Sequence, residues 1–151
     1  MGGVVSYWVR LQDGRNTYVV DLEQVSAFTF IEHGRVSFHL PGGVQEMVLT
    51  VKSNPEEYRL LLAYVRSISD GAVFGYWLTI KYDRDILVVN LHRIASFCIN
   101  EAGKISFVIP DSKLEVVLQK AVHEQAYRKV HHYIQQVSRT PSQGTPSDLG
   151  A

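Results

Sequence analysis

Apolar and polar residues alternate along short segments of this chain, and two of these segments begin with the same residue pair. The sequence reads "YWVRL" from residue 7 and "YWLTI" from residue 76. In the first segment, Tyr7, Val9 and Leu11 form an apolar row. Because neighbouring side chains on a strand point to opposite faces, this period of two predicts a strand with one buried face.

Each of these two segments is followed by more alternating runs and then by a helical pattern. In the first half, "NTYVVDL", "SAFTFIE", "RVSFHL" and "QEMVLTV" are separated by "DG", "HG" and "PGG", whose glycines suit tight turns. Apolar residues then recur every three or four positions in "SNPEEYRLLLAYVRSI", which indicates an amphipathic helix with Pro55 in its first turn. The second half repeats this order and ends in "HEQAYRKVHHYIQQV". The pattern predicts an α+β fold.

A shift of 69 positions aligns residues 7–67 with residues 76–136 without a gap, and 18 of the 61 pairs are identical. Chance would give roughly 4 identities at this composition. Many of the identical residues are large, or are glycine or proline: Trp8 and Trp77, Phe28 and Phe97, Gly34 and Gly103, Pro41 and Pro110, Tyr64 and Tyr133. We therefore interpret the chain as an internal duplication.

The duplication predicts two copies of an antiparallel β-meander of about five strands, each closing its own sheet with a C-terminal helix. The first copy spans residues 1–68 and the second spans 76–137, with residues 69–75 as a linker too short to separate independent domains. We expect the copies to share a core and to be related by an approximate two-fold axis. Residues 138–151 are rich in Ser, Thr, Pro and Gly and are expected to form a disordered tail.

Composition narrows the classes of function. The chain has one cysteine, Cys98, which excludes an internal disulfide and a CxxC redox pair and favours a reducing compartment, with the cytoplasm as the expected location. No apolar run is long enough to cross a membrane. Fifteen basic residues balance fifteen acidic residues, so the net charge gives little steering toward nucleic acid. No cofactor or metal site is predicted.

The residues predicted to bind a partner lie on the polar side of the first strands and at the hairpin turns. By alternation, Trp8 and Trp77 lie on the same side as polar residues of their strands. One interpretation is that the other copy or a second subunit covers this face; another is an aromatic and basic platform that stacks bases or holds a partner. The predicted partner-binding residues are Trp8, Arg10, Arg15, Trp77, Lys81 and Arg84.

Catalytic motifs are absent from the sequence, which has no G-x-S-x-G elbow, Walker loop or HExxH pair. His131 replaces Leu62 of the first copy on the core-facing stripe of the helix. That replacement is typical of a buried, hydrogen-bonded imidazole, and it also allows a small-ligand or enzymatic site centred on His131. The N-terminal "MGGVVS" matches the acceptor pattern for myristoylation of Gly2.

The arrangement resembles known families of tandem repeats. The segments "GRVSFHLPGGVQEMVLTVKSNPEEYRLLLAYV" and "GKISFVIPDSKLEVVLQKAVHEQAYRKVHHYI" each combine strands with a helix that carries a Tyr-Arg pair. Such a duplicated meander plus helix resembles the PUR-repeat and Whirly-like families, which implies binding of single-stranded nucleic acid. It is also similar to a polo-box-like module, which implies binding of protein.

These observations lead to one functional prediction and two alternatives. The prediction is a non-enzymatic interaction module that binds a protein partner, or itself as a homodimer, through sheet faces or edges. The first alternative is a protein that binds single-stranded RNA or DNA. The second is a small-ligand binder or enzyme centred on His131.

Overall fold

The computed structural model describes residues 6–42, 45–69, 76–82 and 84–141. These residues form an α+β fold with antiparallel strands, which confirms the predicted fold class. The first half contains β1 (Trp8–Asp13), β2 (Asn16–Asp21), β3 (Ala27–Ile31), β4 (Arg35–His39), β5 (Glu46–Thr50) and α1 (Pro55–Ser69). The second half contains β6 (Trp77–Tyr82), β7 (Asp85–Asn90), β8 (Cys98–Ile99), β9 (Ile105–Ile109), β10 (Leu114–Leu118) and α2 (Glu124–Val137).

The two halves repeat the same local structures at the offset seen in the sequence. The hairpins β1–β2 and β6–β7 are each followed by a 3-10 turn, Leu22–Gln24 and Leu91–Arg93. The residues that cap these turns, Asp21 and Asn90, have nearly the same backbone angles, with φ −86° in both and ψ 107° and 104°. Strand registers recur as well, since Trp8 lies opposite Asp21 and Trp77 lies opposite Asn90. Internal duplication remains our interpretation of this recurrence.

Strand pairing differs from the expectation that each copy closes its own sheet, and this expectation is corrected. Within the described residues the strands form a hairpin β1-β2, a five-stranded sheet β5-β4-β3-β7-β6 and a three-stranded sheet β10-β9-β8. The 3-10 turn separates β2 from β3, and β3 pairs with β7 of the second half. A backbone bond from Asn90 N–H to Ser26 O, 2.8 Å long, extends this contact.

The predicted two-fold relation is also corrected by the strand pairing. A two-fold axis makes contacts reciprocal, so pairing of β7 with β3 would require equivalent pairing of β2 with β8. In the part of the chain that the structure describes, β2 pairs with β1 alone and β8 pairs with β9 alone. The β6–β7 hairpin of the second half therefore pairs with the sheet of the first half, whereas the β1–β2 hairpin does not pair with the sheet of the second half.

The core consists of two apolar clusters on opposite faces of the β6–β7 hairpin. Leu78 and Ile80 of β6 belong to the cluster of the second half, while Trp77 belongs to the cluster of the first half. Strand β6 accordingly contacts both α1 and α2. The two halves thus bury a shared strand pair between them, but their buried apolar residues form two clusters and not the one common core that was expected.

Several sequence-based predictions fall outside the described residues. These are the linker beyond Ser69, which is the last residue of α1, the tail beyond residue 141 and the myristoylation site at Gly2. In the ranges that the structure covers, neither helix is long and apolar enough to cross a bilayer.

Candidate interaction surface

The first hairpin has one buried face and one exposed face. Val9 and Leu11 of β1 are buried, as is Val20 of β2. On the opposite face, 64% of Trp8 and 56% of Val19 are exposed to solvent. Arg10 lies directly opposite Val19 in the strand register and is also exposed. We call the face formed by Trp8, Arg10 and Val19 the open hairpin surface.

A groove with a volume of about 270 Å³ runs beside the open hairpin surface. The β4–β5 turn supplies one wall through Leu40 and Pro41. This turn is tied to the hairpin by the Gln45 side chain, whose Nε2 donates a 2.9 Å hydrogen bond to the Tyr18 hydroxyl. The groove is lined by Trp8, Tyr18, Val19, Val20, Asp21, Gln24, Leu40 and Pro41.

Strand β2 has a free edge beside this groove. Its inner edge pairs with β1, and no other described strand pairs with it. An edge strand carries backbone N–H and C=O groups that can accept a further strand, and natural proteins usually protect such edges with charge, proline or a covering element. Here the edge includes the exposed apolar Val19 instead. The edge and the groove together form a surface suited to an extended chain.

The position of Trp77 corrects part of the predicted site. Only 2% of its surface is exposed, because α1 and β3 of the first half cover it. Its ring lies 6.0 Å from the ring of Phe28 in a stacked arrangement and 6.2 Å from the ring of Tyr64 in an edge arrangement. Coverage by the other copy therefore applies to Trp77 but not to Trp8. Trp77 is a core residue and is not available to bind a partner.

The predicted basic residues separate into two groups. Arg10 and Arg15 are exposed on the first hairpin, where Arg15 lies at its turn. Lys81 and Arg84 are exposed on the second hairpin, which belongs to a different sheet. Arg84 also pairs with Glu32 at 3.5 Å. Of the six predicted residues, Trp8, Arg10 and Arg15 share the first hairpin.

His131 lies on α2 and packs against another side chain of the same helix. The side chain is half-buried, and its ring stacks on Tyr127 with the ring centres 6.1 Å apart and an angle of 10° between the planes. A second cavity, of about 180 Å³, lies between the two halves and is lined by residues such as Thr29, Ser37 and Leu87. His131 borders neither this cavity nor the groove. Among the described residues, no group of three potential metal ligands is found.

Glu23 connects the two halves close to the open hairpin surface. Its carboxylate accepts hydrogen bonds from the hydroxyls of Tyr64 on α1 and Tyr76 before β6, and its carbonyl oxygen accepts one from Asn90 Nδ2 at 3.0 Å. Burial, and then the hydrogen bond to Glu23, raise the pKa of Tyr76 to about 12 and raise the pKa of Tyr64 further. Burial first, and the Glu23 carboxylate second, therefore favour the protonated form of both phenols.

Sequence reasoning did not identify Tyr18, Val19, Leu40 and Pro41 as part of the surface. The sequence did contain one indication of this surface, at Val19. The run "YVV" breaks the alternation of β2 and places an apolar residue on the face of Arg10. The wall formed by Leu40 and Pro41 depends on the way the β4–β5 turn lies against the hairpin, and no local pattern reports this contact.

Comparisons with known proteins add little to this description. No protein-family model and no curated protein matches the chain. Among solved structures, the chain is similar to a LytTr DNA-binding domain from Bacillus cereus, with a TM-score of 0.42 and 12% identity over 87% of this chain and 97% of that chain. A likeness at this level carries no argument about fold or function.

Proposed function

We propose that this chain is a non-enzymatic interaction module that binds a protein partner at the first hairpin. The observation that carries the proposal is the exposure of Trp8 and Val19 beside the free edge of β2. Isolated apolar side chains are common on protein surfaces, but here two large ones line a groove next to unpaired backbone groups.

The partner binds by adding an extended strand to β2. In this mode, backbone hydrogen bonds along the edge supply affinity, and pockets for alternate side chains supply specificity. Trp8 acts as the large aromatic anchor, a residue type that often contributes most of the energy of an interface. Arg10, opposite Val19, favours a partner with an acidic or polar side chain at the neighbouring position.

Capture experiments with matched variants test this proposal. The chain is immobilised, and the proteins it retains are compared for the wild type, for Val19→Lys and for Val48→Lys. Val48 is also a valine on an edge strand, and 41% of it is exposed. We expect specific proteins to be lost with Val19→Lys and kept with Val48→Lys. Identical retention by both variants, together with a monomeric wild type, would contradict a binding site at the first hairpin.

Binding of single-stranded nucleic acid is a second candidate, favoured by the proximity of Trp8 to two arginines. Trp8 and Arg10 share a strand face, and Arg15 is exposed at the turn of the same hairpin. A base stacked on an aromatic ring contributes about 1–3 kcal/mol, so Trp8→Ala would weaken oligonucleotide binding at least about fivefold. Fluorescence polarisation with poly-pyrimidine strands at two salt concentrations measures this. Equal affinity of Trp8→Ala and the wild type removes this candidate.

The site centred on His131 remains a third proposal with a simple test. His131→Leu restores the residue type found at the equivalent position of the first copy. Thermal-shift screening of a metabolite set against both proteins would show a ligand that stabilises only the wild type. The absence of such a ligand would remove this proposal.

A further inference from the structure

The two hairpins have equivalent strand registers but differ in burial, because one face of the first hairpin is exposed and the same face of the second is covered. At the 69-residue offset, the groove residues of the first hairpin correspond to residues of the second hairpin that are all buried. Val19 is 56% exposed, whereas its counterpart Val88 is 1% exposed. The five corresponding pairs are Trp8 and Trp77, Tyr18 and Leu87, Val19 and Val88, Val20 and Val89, and Asp21 and Asn90.

Strand β3 and α1 of the first half cover the second hairpin. Strands β3 and β7 are antiparallel, with Phe28 opposite Val88 and Thr29 opposite Leu87. Trp77 then packs on the rings of Phe28 and Tyr64. This contact shows how a hairpin of this sequence pattern docks on a β3-type strand.

The second half has a similar aromatic site, and no described strand pairs with the outer edge of β8 beside it. The His92 ring borders this site, 5.9 Å from the ring of Tyr133. The ring distance between Phe97 and Phe107 is 5.4 Å, close to the 5.3 Å between Phe28 and Phe38. Phe97 also lies 6.2 Å from Tyr133, where the equivalent Phe28–Tyr64 distance is 6.4 Å.

Strand β8 differs from β3 in ways that a missing partner explains. Its outer edge is free, and it has two residues where β3 has five. Phe97 is half-buried, whereas Phe28 is fully buried under Trp77. Ile99 is 51% exposed at this edge. An added strand would lengthen β8 and cover both apolar side chains.

We infer that the partner of the first hairpin is a second copy of this chain, whose β8 pairs with β2 in the register that β3 and β7 show within one chain. This inference rests on the proposed function and names its partner. If each residue of this register is replaced by its equivalent in the other half, Val19 lies opposite Phe97 and Tyr18 lies opposite Cys98. Trp8 of one copy covers Phe97 and Tyr133 of the other, as Trp77 covers Phe28 and Tyr64.

Charge and symmetry are consistent with this assembly. Residues 1–70 contain 6 basic and 8 acidic residues (6 − 8 = −2), and residues 71–151 contain 9 and 7 (9 − 7 = +2). Contact between the first half of one copy and the second half of another therefore joins opposite net charges. Because the two surfaces differ, the interface is heterologous, and the assembly either closes into a ring or extends with concentration.

Two hydrogen bonds of the internal interface have no direct equivalent in the assembly. The Tyr76 hydroxyl donates to the Glu23 carboxylate, but the residue equivalent to Glu23 is His92, which has no carboxylate. Asn90 Nδ2 donates to the carbonyl oxygen of Glu23, but Asp21 at the corresponding position has no side-chain donor when ionised. Its Oδ1 instead accepts the N–H of Tyr7 at 2.8 Å. The contact between copies is therefore weaker than the contact within one chain.

A disulfide tests the register. Cys98 is the chain's single cysteine and is exposed, so Tyr18→Cys creates one pair of opposed cysteines at each interface. Directly opposed residues of antiparallel strands lie about 4.5–5.5 Å apart, within the range of a disulfide. We expect Tyr18→Cys to give covalent dimers and larger covalent oligomers under mild oxidation, while the wild type, Val19→Cys and Val48→Cys give few. Equal cross-linking of all four proteins would overturn the register.

Mixing two blocked variants tests the heterologous pairing. Val19→Lys blocks the β2 edge, and the double variant Cys98→Lys with Ile99→Lys blocks the β8 edge, all at exposed positions. We expect the mass measured by light scattering to exceed the 17.1 kDa of one chain for the wild type and to equal it for each variant alone. Their mixture should form a dimer with one chain of each kind. Association of either variant alone, or a monomeric wild type, overturns the inference.

The outcomes separate this inference from the function on which it rests. If the wild type is monomeric while Val19→Lys loses a captured protein of another sequence, the first hairpin binds a different partner and the inference alone fails. If no captured protein depends on Val19 and the wild type is monomeric, both fail. Circular dichroism of each variant confirms that the fold is retained in these comparisons.

Discussion

At the scale of single residues, Glu23 links the two halves of the chain through hydrogen bonds. One carboxylate accepts hydrogen bonds from two tyrosines that lie on different halves of the chain. The equivalent residue of the second half is His92, whose ring stacks on Tyr76 at 3.8 Å. The two halves therefore have different side chains at this position, and both side chains contact Tyr76: Glu23 by a hydrogen bond and His92 by ring stacking.

Removal of the Glu23 carboxylate should destabilise the fold. In Glu23→Ala, the buried hydroxyl of Tyr64 and the half-buried hydroxyl of Tyr76 lose their acceptor. An unsatisfied buried hydroxyl costs about 1–3 kcal/mol, so we expect a loss of about 2–4 kcal/mol in the free energy of unfolding, measured by urea denaturation. Glu32→Ala is the control, because its ion pair with Arg84 is exposed and should contribute less than about 1 kcal/mol. Equal effects would contradict this role for Glu23.

The same tyrosines predict a loss of stability at alkaline pH. Burial and the bond to Glu23 raise the pKa of Tyr76 from 10.0 to about 12 and that of Tyr64 further. Above pH about 10 the unfolded chain releases these protons while the folded chain retains them, so the free energy of unfolding falls as pH rises toward about 12. Urea midpoints across this range measure the decline. Tyr76→Phe should show a shallower decline, and an unchanged slope would contradict the assignment.

At the scale of elements, the turn between β3 and β4 depends on a glycine. Gly34 has a φ of +73°, a conformation that side chains rarely adopt, and a Cβ placed there would lie 2.6 Å from Val51 Cγ2. The backbone of Val51 is held in place because its N–H donates to Gly34 O at 2.8 Å. The turn therefore locks the end of β5 against the start of β4.

Gly34→Ala should destabilise the fold by more than its backbone conformation alone requires. Positive φ costs alanine about 1–2 kcal/mol, and the overlap with Val51 adds about 1–3 kcal/mol. Gly14→Ala is a matched control, since Gly14 has a φ of +64° and no atom within 4 Å of the added Cβ. Thermal unfolding of the two variants gives the difference. A smaller loss for Gly34→Ala than for Gly14→Ala would show that Val51 moves freely.

At the scale of the whole molecule, the main feature is that the contact between the two halves is not reciprocal. The second half places its hairpin on the sheet of the first half, and the first hairpin is left without a described partner strand. Residues that are equivalent in sequence thus lie in a core in one half and on a surface in the other. This asymmetry leaves the outer edges of β2 and β8 unpaired within the described residues, and the β8 edge of a second copy can pair with the β2 edge.

Substitution of the two tryptophans should separate these roles. In a Val19→Lys background, which keeps the chain monomeric, Trp77→Ala should cost about 3–5 kcal/mol because it empties a packed aromatic site. Trp8→Ala should change the free energy of unfolding by less than about 0.5 kcal/mol, because Trp8 is 64% exposed. Guanidinium denaturation measures both. Similar losses for the two variants would mean that Trp8 is buried in the monomer.

The local pattern of this sequence determined the elements and their order. Alternation in "YWVRL" and the "DG" turn before "NTYVVDL" predict the first hairpin, and the helical spacing after Pro55 predicts α1, because both depend on residues close together in the chain. The 69-residue offset likewise anticipates that the registers recur, with Trp8 opposite Asp21 and Trp77 opposite Asn90.

Only the tertiary structure decided which faces are covered. Trp8 and Trp77 begin equivalent strands, yet one is 64% exposed and the other 2%. The difference arises because β3 pairs with β7, a contact between residues about 60 positions apart that has no signature in either segment. A local pattern states that a face is apolar. Burial depends on which distant surface packs against that face, and in this chain that surface is present for one hairpin and absent for the other among the described residues.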